Sequence, residues 1–410
     1  VVTARACPCL IVAFSVAIGV GCGDENQLGR IRATKTGDTS QGPPPRVPYE
    51  EALNEACGAA EPGRRNVLLR GPYLQRVTAT SATIVWTARN GGEVEVVSPS
   101  SDLRVEVSAE ADTSAPLPVG HQWVADVEGL EPGSIHCYSI RDGEGALVSH
   151  VGFRTAPDED EPIRFVAFGD VGARTGDQRA VYDQIRTVAS DFVVVTGDVA
   201  YEEGKLSELE DNFFGVYREL LRHVPVFPAS GNHDYETDDA APFRQAFVLP
   251  ENGGGGGVER WYAFDWGPVH VVVLDTERLG DEQRDWLEAD LAATTAIWKI
   301  AVLHRPPFSS GDHGSDMAVR ALFAPVFERH GVQLVLAGHD HDYERTHELG
   351  GVTYVVTGAG GRGTRDVGTS DFTAFSEPVS HFSYVEATPD ELVLRAIDGT
   401  GAHFDGVRLE

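Results

Sequence analysis

From residue 163 onward the sequence repeats one unit, an apolar run of strand length closed by a polar side chain able to bind metal. The runs "IRFVAFGD" (163–170) and "DFVVVTGD" (191–198) end in Asp170 and Asp198. "VPVFPASGNHD" (224–234) reaches Asn232 and His233, "WKIAVLH" (298–304) reaches His304, and "VQLVLAGHDH" (332–341) reaches His339 and His341. Helix-like segments such as "DQRAVYDQIRTVA", "DEQRDWLEADLAAT" and "DMAVRALFAPVFERHG" lie between several of them. Nearly continuous apolar strands alternating with helices predict an α/β domain whose strands are covered on both faces. In such a sheet the carboxyl ends of the strands gather along one edge, where ligands bind. Five runs in succession therefore aim their terminal side chains at one crevice.

The side chains divide in a chemically sensible way. Asp198 is followed by "VAY", so a turn would return Tyr201 to the same point. Asp and Tyr offer hard anionic oxygen, His offers imidazole nitrogen, and Asn a neutral carbonyl. One ion would take Asp170, Tyr201 and an imidazole; a second would take Asn232 and two imidazoles, with Asp198 between them. His339 and His341 are two apart, so on extended chain both point the same way. Paired ions about 3.5–4 Å apart are what two-metal hydrolysis uses.

Upstream the pattern changes. Between about Val67 and Thr155 short alternating segments such as "SATIVWTA", "EVEVVS" and "HQWVADVEGL" are separated by turn residues. They predict an all-β sandwich of seven strands. Within it "GLEPGSIHCYSIRDG" resembles the turn and strand of fibronectin type III domains. Residues 23–65, polar and rich in Gly and Pro around "TSQGPPPRVP", read as a flexible tether with a short helix at "YEEALNEACG". Residues 1–22 read as a signal peptide, with one Arg before the apolar run Leu10–Val20. "GVGC" resembles the lipobox of bacterial lipoproteins, which would make Cys22 a lipidated N-terminus and a membrane anchor. The expected location is therefore outside the cytoplasm, secreted or lipid-anchored to a bacterial membrane. Of five cysteines, Cys57 and Cys137 would remain to pair in an oxidising compartment. The 63 acidic against 33 basic residues, a net charge of −30, argue against nucleic acid as the main partner. The same balance means that an anionic substrate needs local positive charge, which bound metal would supply.

In order, "GDVG", "GDVAY", "GNHD", "VLH" and "GHDHDYER" resemble the five blocks of the purple acid phosphatases, within the calcineurin-like metallophosphoesterases. The resemblance covers roughly 163–397 and also reproduces that family's order of domains. It implies an α/β (α+β sandwich) metallophosphoesterase domain over 162–410, preceded by a fibronectin type III-like domain over 66–156. It implies a binuclear centre of Fe(3+) plus a divalent ion, Fe, Zn or Mn. The ferric site would be Asp170, Asp198, Tyr201 and His341, and the divalent site Asp198, Asn232, His304 and His339. His233 and His313 would face the substrate as catalytic residues, while Tyr343, Glu344 and Arg345 would brace the ligand loop. The implied function is hydrolysis of phosphate monoesters by in-line attack of a metal-bound hydroxide. Two alternatives stay open, a phosphodiesterase or nucleotidase on the same scaffold and a surface binding protein whose catalytic domain has decayed.

Overall fold

A computed structural model describes residues 37–410, apart from 60, 65, 66, 114–116, 118 and 254–258. The apolar leader, the lipobox-like stretch and Cys7, Cys9 and Cys22 lie outside the described residues.

The N-terminal β region holds nine strands among the described residues. They are β1 (Glu61–Pro62), β2 (Leu68–Gln75), β3 (Ser81–Ala88), β4 (Glu93–Val97), β5 (Arg104–Ser108), β6 (Glu110–Asp112), β7 (His121–Glu128), β8 (Ile135–Asp142) and β9 (Gly145–Arg154). They form two sheets, β1-β9-β8-β4-β5 and β2-β3-β7-β6, with every pair antiparallel. The excess over the expected seven comes from β1 and β6, edge strands of two and three residues that are too short to leave an alternating pattern. Longer strands show the alternation directly, as in β4, where Val94 and Val96 turn inward from a strand with exposed or half-exposed neighbours.

The C-terminal part of the chain is built on two further sheets. Strands β10 (Ile163–Phe168), β11 (Phe192–Val195) and β12 (Val226–Pro228) run parallel. The other six-stranded-sheet members, β20 (His381–Ala387), β21 (Leu392–Asp398) and β22 (His403–Leu409), add an antiparallel meander on the far side of β10. The second sheet has the order β13-β14-β15-β16-β18-β17-β19. Its strands are β13 (Tyr262–Trp266), β14 (Val269–Val273), β15 (Trp298–Val302), β16 (Leu334–Ala337), β17 (Tyr343–Thr346), β18 (Thr353–Thr357) and β19 (Thr373–Glu377). All residues of β11, β14, β16 and β18 are buried, which is why these runs are mostly apolar rather than alternating, His270 in β14 and the threonines ending β18 being the exceptions.

The helices are α1 (Tyr49–Cys57), α2 (Gly176–Ile185), α3 (Leu206–Glu208), α4 (Gly215–Leu221), α5 (Ala241–Ala246), α6 (Asp281–Ala293) and α7 (Met317–His330). A π-helical stretch, Leu209–Phe214, joins α3 to α4. α2 starts where the Thr175 hydroxyl accepts from the Gln178 N–H at 3.0 Å. α7 starts at Asp316, whose carboxylate accepts from Ala318 and Val319, and stops at Gly331 with φ of 67°.

The flexible tether expected over 23–65 is not what the described part of that segment forms. The Asp38 N–H donates to Asp405 at 2.7 Å, Arg46 donates to the Gly401 carbonyl at 2.6 Å, and Arg395 donates to the Gly42 carbonyl at 3.0 Å. Residues 37–46 are thus strapped to the β21–β22 hairpin and α2. Next, α1 lays Tyr49 and Leu53 against the β region, and Cys57 is bonded to Cys137 on β8 with a Cα–Cα distance of 5.7 Å. Local composition missed the strap because its partners lie about 350 residues away, whereas the short helix and the Cys57–Cys137 pair are as expected.

The β region also backs the C-terminal part. Gln75 donates to the Val226 carbonyl at 2.8 Å and Tyr138 to the Arg222 carbonyl at 2.9 Å. The first of these bonds steadies β12, the strand that leads to Asn232.

Candidate metal centre

Asp170, Asp198, Asn232, His304 and His339 each follow the carboxyl end of a strand, respectively β10, β11, β12, β15 and β16. The expected single sheet edge is in fact two edges, because β10–β12 belong to one sheet and β15–β16 to the other. Motif spacing along one chain cannot distinguish these cases. The loops meet closely. A Cβ at Gly197, whose φ is 93°, would stand 2.4 Å from the His304 ring, and one at Gly338 would stand 2.6 Å from Asp170. Three of the converging residues, Asp170 (φ 56°), Asp198 (φ 49°) and His339 (φ 71°), hold left-handed backbone, a strain characteristic of functional loops.

All seven expected donor residues come together. The Tyr201 hydroxyl lies 2.9 Å from Asp170 Oδ1, 2.7 Å from Asp198 Oδ2 and 3.3 Å from His341 Nε2. His341 Nε2 is 3.4 Å from Asp170 Oδ1. The other oxygen of Asp198 turns away toward His304 Nε2, at 3.4 Å. His304 Nε2 is also 3.1 Å from Asn232 Oδ1 and 3.3 Å from His339 Nδ1. Asp170, Asp198 and His304 by themselves bring three donor atoms within 4.8 Å of one another.

Proton counting shows what this arrangement lacks. His304 Nδ1 faces the Thr196 carbonyl at 2.9 Å and must donate, so in the neutral ring Nε2 carries a bare lone pair aimed at Asp198 and Asn232 oxygens. Tyr201 has one proton for two carboxylates. Burial first, with Asp198 adding to it against the lowering effect of His304, pushes Asp170 well above the ordinary carboxylate range. Burial, then Asp170 and Asp198, push Tyr201 far up. Burial, then His304 and Arg305, hold His339 well below an ordinary imidazole; burial and Arg365 bring His341 down to about 4. The crevice thus resists both negative carboxylates and positive imidazoles, a conflict that bound cations resolve. Two carboxylates, a phenol, three imidazoles and an amide, in two groups that share Asp198, fit a pair of metal ions.

His233 and His313 stand at the rim. His233 Nδ1 donates to the Glu202 carbonyl at 2.6 Å, and its ring lies 4.4 Å from that of Tyr201. This bond fixes the tautomer with the hydrogen on Nδ1. The exposed His313 ring stacks on His339 at 4.2 Å between centroids and touches the Arg365 guanidinium. Tyr343 and Arg345 both bind Asp405, at 2.9 and 2.8 Å, while Glu344 accepts from Ser310 and Thr373. These three hold the ligand loop in place.

Sequence reading missed four contributors. Asp234 accepts from the N–H groups of Gly231, Val199 and Ala200 at 2.9–3.2 Å, tying the "GNHD" turn to the "GDVAY" turn. The signal was the acid at the end of "GNHD". Arg305, Arg362 and Arg365 supply cationic side chains beside the crevice. The Arg362 N–H donates to the Asp170 carbonyl at 2.8 Å, the Arg365 N–H to the His341 carbonyl at 2.9 Å, and Arg305 reaches His339 Nε2 at 3.3 Å. Arg305 is paired with Glu277 and Arg362 with Glu202, so local positive charge from side chains rests on Arg365, which the composition does not reveal.

Residues 163–343 match the calcineurin-like phosphoesterase family model. An uncharacterized protein of Mycobacterium tuberculosis is 28% identical over 336 residues, covering 68% of this chain and 63% of that protein. Purple acid phosphatase 21 of Arabidopsis thaliana is 29% identical over 296 residues, covering 67% of this chain and 65% of that protein. The chain thus spans just under two thirds of the length of these relatives. The fold is similar to that of a purple acid phosphatase from yellow lupin (Lupinus luteus) seeds, with a TM-score of 0.72 and 20% identity over 83% of this chain and 74% of that one. The strand-end turns and their converging donors lie within the segment that matches the calcineurin-like phosphoesterase model, and purple acid phosphatases are among the proteins this chain is similar to.

Proposed function

We propose that this chain is a dinuclear-metal phosphatase of the purple acid phosphatase type, acting on phosphate monoesters outside the cytoplasm. The observation that carries the reading is the position of Asp198, with Oδ2 on Tyr201 and Oδ1 on His304. A carboxylate so placed joins two donor groups. Asp170, Asp198, Tyr201 and His341 would hold Fe(3+), to which a phenolate is suited, and Asp198, Asn232, His304 and His339 would hold the divalent ion. When bound, the ions would offset the charge of the phosphoryl oxygens and lower the pKa of an attacking water. His233, oriented by the Glu202 carbonyl, would carry a proton on Nε2 for the departing alcohol. Burial and the Arg365 charge disfavour protonating His313, which suits it to hydrogen bonding with phosphate rather than to acid catalysis. Arg365 would draw an anionic ester into an otherwise acidic protein. The Cys57–Cys137 bond supports an oxidising compartment.

The test is spectroscopic as well as catalytic. Iron-loaded, oxidised wild type should hydrolyse phosphate monoesters and absorb in the visible through phenolate-to-iron charge transfer. Tyr201→Phe should abolish the band. A colourless wild type with iron bound would remove Tyr201 from the ligand set, and a coloured protein inert to all monoesters would refute the activity.

A further inference from the structure

Behind the Asp170 and Tyr201 loops lies a second polar cleft of about 370 Å³, bounded by β2, α2, the loop before α2, and the π-helical stretch running into α4. Five arginines and three carboxylates line it, in a chain whose acidic residues outnumber its basic ones 63 to 33. Its floor is Arg70, buried and consumed by its own partners. Arg70 pairs with Glu210 at 2.5 Å, donates to Gln122 at 3.0 Å and lies over the Phe214 ring. The rim differs. Arg174, Arg179 and Arg218 are exposed and make no ion pair among the described residues, although Asp183 and Asp211 stand on the same rim. Their positions are set by the fold. Arg179, Tyr182, Asp183 and Arg186 form one stripe of α2 at helical spacing, and the Arg218 stem crosses Gly71, within about 3.3 Å of where a Cβ would sit.

We propose that this arginine cleft is an anion-binding site separate from the metal centre, and that its ligand class is a compound carrying two or more phosphoryl groups. Guanidinium forks presented from three elements need an acceptor that offers several oxygens in different directions. One carboxylate satisfies a single fork, whereas linked phosphates satisfy several. The volume falls in the range of small-molecule sites, roughly 300–1,000 Å³. The cleft is walled off from the metal crevice by the segment that backs Tyr201. The Arg174 N–H donates to Gln178 at 2.6 Å, Gln178 donates to the Asn212 carbonyl at 2.8 Å, and Asn212 donates to the Tyr201 carbonyl at 3.2 Å. A ligand there is therefore counted apart from one on the metals.

Calorimetric titration of the metal-loaded protein with methylenediphosphonate, whose P–C–P link resists hydrolysis, tests this, with metal content measured before and after. Wild type should bind two equivalents. Arg179→Ala/Arg218→Ala should lose one equivalent and keep its thermal midpoint, while the double Lys variant should retain weakened binding. Arg174→Ala gives an independent second variant, expected to weaken the same equivalent about tenfold or more, in line with the loss of one charge-assisted pair. One equivalent or none on wild type, or two undiminished equivalents on the double Ala variant, would overturn the proposal.

Discussion

Two buried polar clusters in the C-terminal part of the chain are built on opposite terms. Around Asp405 every charge meets its complement. Arg345 binds both carboxylate oxygens at 2.8 and 2.9 Å, Tyr343 donates at 2.9 Å, and the Asp38 N–H closes the set at 2.7 Å. Around Asp198 the neighbours are another carboxylate, a phenol and imidazole lone pairs. Both carboxylates are buried, Asp198 being 1% and Asp405 0% exposed. The first is complete within the chain; the second becomes complete only with cations. Burial is common to both, so what marks the functional cluster is the missing counter-charge.

Matched substitutions should separate the two. Asp198→Asn should reduce monoester hydrolysis by at least ~10³-fold, as loss of a shared electrostatic clamp on both ions. In metal-stripped protein it should leave the thermal midpoint unchanged or raise it, since it removes one of two facing carboxylates. Asp405→Asn should do the reverse. Leaving Arg345 short of its partner should cost about 3–5 kcal/mol by the precedent of broken buried pairs, with activity per folded molecule retained. Chemical denaturation of both variants, stripped and loaded, measures this. A destabilised metal-free Asp198→Asn would mean that the crevice is self-satisfied and the contrast false.

His233→Ala sharpens the boundary between holding metal and moving protons. It should lower turnover of an alkyl phosphate about 10²-fold with metal content preserved. A nitrophenyl ester, whose leaving group needs no proton, should suffer much less. Equal losses on both esters would assign His233 to positioning, through its ring bond to the Glu202 carbonyl at 2.6 Å and its ring contact with Tyr201 at 4.4 Å.

The same contrast explains what could be read from the sequence. Each expected donor closes an apolar run, so Asp170, Asp198, Asn232, His304 and His339 declare themselves by position, and Tyr201 by its offset from Asp198. Their distribution over two sheets is invisible, because strand partners are not encoded in run order. Asp234, Arg362 and Arg365 act through tertiary bonds to residues 24 or more positions away. The segment 37–57 reads as a tether because its composition is that of one; its Arg46 and Asp38 partners come from the opposite end of the chain. In the β region alternation located the long strands but left β1 and β6 unmarked.

The smallest expected effect concerns His270, a third buried charge cluster that is balanced in one protonation state only. His270 on β14 faces Asp265 directly across on β13, at 2.7 Å, and its other nitrogen meets Asp290 on α6, also at 2.7 Å. Burial opposes charging the ring, yet the two carboxylates outweigh it and raise the imidazole to about 9. In the unfolded chain the ring titrates near the ordinary imidazole value of about 6.5. Between these values the folded protein holds a proton that the unfolded chain has released. The stabilisation is therefore complete below about pH 6.5 and is lost as pH rises through about 9. The interval corresponds to roughly 2–3 kcal/mol, with the more exposed Asp265 contributing the smaller part because solvent screens it. His270→Gln can keep hydrogen bonds to the carboxylates but cannot take the charge. Denaturation profiles of wild type and variant should differ most at pH 6 and converge by pH 10, with metal content equal throughout. Parallel profiles would show that the ring stays neutral, and that the cluster holds by hydrogen bonding alone.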